Sequence, residues 1–117
     1  MDLRSAIDAH AAWKVKLRRA LITCEKLDAD TLSQDNQCAF GKWLHGEARQ
    51  KFGQSKSYAD CLRSHAAFHR IAGSIACDIN AGEMDKAGRE LDGQAYADIT
   101  KDIGIAIVRL RKETGLN

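Results

Sequence analysis

The sequence predicts an all-α fold, and three observations carry the prediction. Proline is absent from all 117 residues, so the strongest helix breaker is missing. Apolar residues recur at intervals of three and four rather than two, the spacing that lines one face of a helix. Polar stretches and glycines separate these periodic runs, as helix ends require.

In the first run Ala6, His10, Trp13, Leu17, Ala20, Cys24 and Leu27 follow a 4-3-4-3 rhythm, widened by Leu3, Ile7 and Leu21. This predicts one helix of about seven turns. Residues 28–37 (DADTLSQDNQ) are polar, lack periodicity and favour caps and turns, so they read as an exposed loop. A short helix over Cys38 to Leu44 follows, with Asp35 or Asn36 as N-cap and Gly46 as its stop, and a second short one runs to Phe52. After Gly53, the residues Tyr58, Cys61, Leu62, His65, Phe68, His69, Ala72, Ala76 and Ile79 form a long stripe that Ala81 and Gly82 terminate. Met84, Ala87, Leu91, Ala95, Ile99, Ile103, Ala106 and Leu110 mark a last helix of nearly thirty residues, interrupted only by Gly88, Gly93 and Gly104. Short connections between long helices predict an antiparallel four-helix bundle with an additional short helix, with residues 1–117 as one domain.

Composition narrows the function. With 44% hydrophobic and 29% charged residues the chain can bury one core. Eighteen Lys and Arg against sixteen Asp and Glu leave a net charge of +2 without a basic block, which argues against a nucleic-acid partner. No apolar window is long enough for membrane insertion, and the N-terminus opens on amphipathic sequence rather than a signal peptide. The expectation is a soluble, cytoplasmic protein. In that compartment Cys24, Cys38, Cys61 and Cys77 are expected as reduced thiols, and metal binding outranks disulfides.

Chemistry-bearing residues stand where a plain bundle would carry leucine. His65 and His69, one turn apart on a helix face, can reach a common point, although such a pair alone is a weak motif. His10 occupies the core stripe of the first helix. Buried neutral imidazoles need partners, and one Zn²⁺ would satisfy three of them at once. A Cys38 thiolate completes a tetrahedral N₃S set, which favours zinc over magnesium or calcium. Copper and iron remain alternatives. Cys61, one turn before His65, is the rival sulfur, and His45 is the rival imidazole. Cys24, Cys61 and Cys77 otherwise read as small buried hydrophobes on their stripes. Cys38, near a helix start with Lys42 one turn on, reads as a sulfur held as thiolate by metal and helix dipole.

Three separated motifs resemble those of the bacterial chemoreceptor zinc-binding (CZB) domain family. H-x-x-W-[KRS]-x-x-L is matched by His10, Trp13, Lys14 and Leu17; C-x-[FL]-G-x-W-[LF] by Cys38, Phe40, Gly41, Trp43 and Leu44; and H-x-x-x-H by His65 and His69. The resemblance implies a helical zinc-binding domain with His10, Cys38, His65 and His69 as ligands and Trp13, Phe40 and Trp43 packed around them. It also implies a regulatory role, in which zinc occupancy or oxidation of the thiolate alters the output of a chemoreceptor or a diguanylate cyclase. The chain shows no receptor signalling hairpin and no cyclase sequence, so the expectation is either a free-standing sensor or an excised sensor domain acting on a signalling output domain or protein. A closed four-ligand shell fits sensing better than catalysis, leaving a structural zinc bundle and a metalloenzyme with an open coordination position as alternatives. In the last helix Ile103, Ile105, Ile107 and Val108 point around much of the circumference, and Val15 and Ile22 fall off the main stripe of the first, which predicts a homodimer along the first and last helices.

Overall fold

The computed structural model describes residues 1–117. All regular structure is helical: α1 (Leu3–Ala11), α2 (Trp13–Thr23), α3 (Ala29–Leu32), α4 (Ala39–His45), α5 (Glu47–Phe52), α6 (Lys56–Asn80), α7 (Met84–Leu91) and α8 (Gln94–Thr114). Buried hydrophobic side chains form one connected cluster reaching from Leu3 to Leu110.

The 25-residue α6 is the central element. Ser55 caps its start by accepting from the Tyr58 N–H at 3.1 Å, and Gly82, at φ +81°, ends it in the left-handed conformation that a side chain would strain. Its inward face carries Tyr58, Cys61, His65, Phe68, His69, Ala72, Ile75, Ala76 and Ile79. Along this face it packs most extensively on α8, and also on α3, α7 and α2.

The first and last predicted helices are each divided. Ala12, with αR backbone, separates α1 from α2, while Asp92 and Gly93 separate α7 from α8. The physical reason lies in the partners: α7 packs on α2 and α8 on α1, although both also meet α6. α1 packs on α8 and α4, but α2 packs on α7 and α6. One straight helix could not keep a single stripe against two different surfaces. An ion pair between Arg18 and Asp92 ties α2 to the end of α7.

Residues 28–37 are not wholly an exposed loop. Asp28 accepts from the Thr31 N–H at 3.2 Å and its hydroxyl at 2.8 Å, capping the single turn α3, which buries Ala29 and Leu32. One turn is too short to show periodicity, so the polar composition hid it. α3 lies close on α6 because Gly73 has no side chain: a Cβ there would come within 2.7 Å of the Ser33 Cα. Asn80 holds the preceding segment from both sides, its Oδ1 accepting from the Leu27 N–H and its Nδ2 donating to the Leu27 carbonyl.

Only Cys61 among the three stripe cysteines is buried. Cys24 leaves the helix as the left-handed C-cap of α2, and Cys77 lies on the solvent side of α6, so both are exposed. Likewise Ile103 and Ile107 join the core, whereas Ile105 and Val108 remain partly exposed. No helix is long and apolar enough to cross a membrane.

Candidate metal centre

Three elements deliver one donor or a pair each to the centre of the fold. Leu3, Ala6 and His10 share the buried face of α1, which turns the His10 ring inward near the helix end. His65 and His69 project from adjacent turns of α6. Cys38 is the N-cap of α4, in extended backbone, where its Sγ accepts from the Gly41 N–H at 3.3 Å. Neither Asp35 nor Asn36 takes that cap, because the sulfur itself occupies it.

All four donor atoms lie within 4.8 Å of one another. The Nε2 atoms of His10, His65 and His69 stand 3.9, 3.3 and 3.5 Å from the Cys38 Sγ. A tetrahedral site with Zn–S of about 2.3 Å and Zn–N of about 2.0 Å has S···N edges of about 3.5 Å, so this spacing suits zinc. Ring orientation is fixed from behind. His10 Nδ1 donates to the Ala6 carbonyl at 2.7 Å, and His69 Nδ1 donates to the Leu32 carbonyl at 2.8 Å. Carbonyls only accept, so Nδ1 carries the proton in both rings and Nε2 turns its lone pair inward. His65 Nδ1 has no partner.

The hydrogen count tests the donor set. The Nε2 lone pairs of His10 and His69 face a single sulfur whose one thiol proton can serve only one of them, and His65, with no partner at Nδ1, leaves a ring nitrogen unmatched in its Nδ1–H tautomer and in its Nε2–H tautomer alike. A cation with tetrahedral N and S preference resolves that deficit, and the residues therefore fit Zn²⁺.

An aromatic wall holds the rings in place. Phe40 meets His65 edge-on at 5.1 Å and stacks on Trp43 at 5.9 Å, while Phe68 closes on His10 at 5.2 Å. Gly41 is required by contact. A Cβ there would sit 1.9 Å from the Asp35 carbonyl oxygen and 3.0 Å from the His65 Cε1, so only glycine lets the cysteine loop close over the ring. Trp13 is half-buried at the edge, with the Lys16 ammonium 4.7 Å from its ring centre.

Burial dominates the electrostatics. It drives His65 down to about 2, assisted by His69 and His10, and lowers His10 and His69 against the raising effect of their backbone carbonyls. The imidazoles are thus neutral and ready as ligands at pH 7. Burial also raises the Cys38 thiol, outweighing the Gly41 N–H, and Asp35 adds to the rise. Position at the helix start and Lys42 therefore do not make a thiolate by themselves; the bound metal must supply that stabilisation. The rivals lie elsewhere. Cys61 is outside the cluster with its thiol pushed up to about 12 by burial, and the His45 Nε2–H donates to Asp35 at 3.0 Å.

Comparison with known proteins gives one match: the family model described as the chemoreceptor zinc-binding domain covers residues 10–76, beginning at His10 and including all four cluster residues. No curated protein and no solved structure matches the chain.

The buried imidazoles set an acid response for the metal-free fold. Unfolding frees three histidines to protonate near pH 6.5, whereas the folded rings stay neutral well below it, His65 down to about 2. The unfolded state then binds more protons, so stability falls as pH drops from about 6.5. Urea midpoints of chelator-treated protein should decline between pH 7.5 and 5.5. A midpoint that stays flat over that range would contradict the burial of neutral rings.

Proposed function

The chain belongs to the chemoreceptor zinc-binding domain family, and on that premise we propose that it is a single zinc-sensing regulatory domain with His10, Cys38, His65 and His69 as its four ligands. The observation that carries this reading is the convergence of three Nε2 atoms on one half-buried sulfur, two of them turned inward as lone pairs by the carbonyl bonds of their Nδ1. Domains of this family accompany signalling output domains. The helices serve as an antiparallel four-helix scaffold, with α6 against α8, α1 packed on α8 and α2 on α6.

When bound, zinc supplies positive charge that holds the Cys38 sulfur as thiolate. The protein does the rest. His10 and His69 are oriented by backbone carbonyls, Phe40 and Phe68 keep water from the rings, and Cys38 joins the loop before α4 to α1 and α6. Loss of the thiolate, through oxidation or a fall in zinc, would release α1 from α6 at His10 and so alter the packing of the first helices. That change is the signal we assign to a chemoreceptor or diguanylate cyclase output. Four protein donors leave no coordination position for substrate, which speaks for regulation rather than catalysis.

The signal also needs a surface. Val15 and Ile22 on α2 are 72% and 75% exposed, and Ile105 and Val108 on α8 are 40% and 37% exposed. We assign these residues to a homodimer contact along the first and last helices.

Two measurements test this reading. Protein as purified should carry about one zinc per chain, and Cys38→Ala or His69→Ala should lower that content sharply with the helical content retained. Full zinc occupancy in Cys38→Ala would remove the sulfur from the ligand set. Sedimentation at micromolar concentration should give a dimer that Val15→Glu with Val108→Glu dissociates. A monomeric parent chain, with and without zinc, would rule out the dimer and its route of signal transfer.

A further inference from the structure

The donor cluster is closed on every side but one. His65, His69 and His10 are 0%, 2% and 4% exposed, whereas Cys38 is only half-buried. Two hollows touch the cluster. The first, about 40 Å³, lies against His10 beneath α8, beside Thr100, Gly104 and Ile107, and has room for little more than a water. The second is an apolar cleft of about 240 Å³ walled by Trp13, Leu27, Thr31, Leu32 and Gln37, and Cys38 and His69 form part of its lining.

We infer that this cleft, with Trp13 and Gln37 as its movable rim, is the gate through which zinc, chelators and small uncharged thiol reagents reach the centre. The inference rests on the zinc reading above. Its walls differ in mobility. Leu27 is clamped by Asn80, and Leu32 is fixed because its carbonyl holds His69 and Ser33 locks into Gly73. Gln37 is exposed, and its amide bonds only to the neighbouring Asn36 side chain. Trp13 is half-buried, covered on the outside by the Lys16 side chain.

The donors differ in the same way. His10 and His69 are each anchored by a second hydrogen bond, and His65 is wedged between His10, His69 and Phe40. Apart from the ring nitrogens, the Cys38 sulfur is held only by backbone N–H groups at the start of α4, chiefly that of Gly41 at 3.3 Å, and by no side chain. It is therefore the donor that turns away at least cost, and the space it turns into is the cleft. A gate changes rates of entry and exit together and leaves the binding equilibrium where it was.

The test combines zinc release to a chromophoric chelator with alkylation of Cys38 by N-ethylmaleimide, followed by peptide mapping. Exposed Cys24 and Cys77 serve as internal references. Gln37→Trp, which fills the rim, should slow zinc release and metal-free Cys38 alkylation by about tenfold, the factor that about 1.4 kcal/mol of added opening cost produces. Zinc affinity should be unchanged. Trp13→Ala should speed both rates, and Gly104→Ala, on the His10 side, should alter neither. Unchanged rates in both rim variants, or a change confined to Gly104→Ala, would overturn the gate. Stoichiometry of the parent chain separates the two readings: a chain without zinc whose Cys38 is still shielded by Gln37→Trp loses the metal reading and keeps the access route.

Discussion

Three imidazole nitrogens facing one sulfur in a largely buried site form an arrangement that a single thiol proton cannot satisfy. Each unpaired lone pair left there would cost of the order of 1–3 kcal/mol, a large share of what holds so small a protein together. Only a cation of the right coordination chemistry turns this liability into a bond network. The surrounding fold is arranged around that constraint. Ala6 and Leu32 lend backbone carbonyls so that two rings present the correct nitrogen, and Gly41 lets the cysteine loop approach close enough to complete the set.

The division of the long helices follows from the same demand. α1 must place His10 against α6 near α4, while α2 must cover α6 and α7 further along, and the interruption at Ala12 allows both. α3 has a similar purpose. It is one turn long, yet it brings the Leu32 carbonyl to His69 and forms one wall of the cleft beside Cys38. Its close seat on α6 depends on Gly73 and on the Asn80 clamp, neither of which touches the cluster. A metal held by the four donors would thereby be coupled to the packing of three separate segments, the route by which the proposed sensor would report.

Much of this was legible in the residues. The 3-4 periodicity located α6 and its ends, the i,i+4 spacing of His65 and His69 gave their common face, and three histidines at core positions pointed to a metal. Cys38 was legible through the short helix it opens and the motif around it. The less legible features are those that depend on tertiary partners. α3 carries no periodic signal, and the break at Ala12 is set by which surfaces α1 and α2 meet. Cys24 keeps the stripe rhythm but falls one residue past the helix, where the backbone turns left-handed and exposes it. The raised Cys38 thiol is a matter of burial, which the charge pattern along the chain does not encode.

Zinc X-ray absorption spectroscopy tests the central claim most directly, because it reads the donor atoms themselves. The account predicts a four-coordinate first shell with one sulfur at about 2.3 Å and three imidazole nitrogens at about 2.0 Å. A shell without sulfur, one with two sulfurs, or one with an oxygen replacing an imidazole would contradict the assignment of His10, Cys38, His65 and His69 as the ligand set.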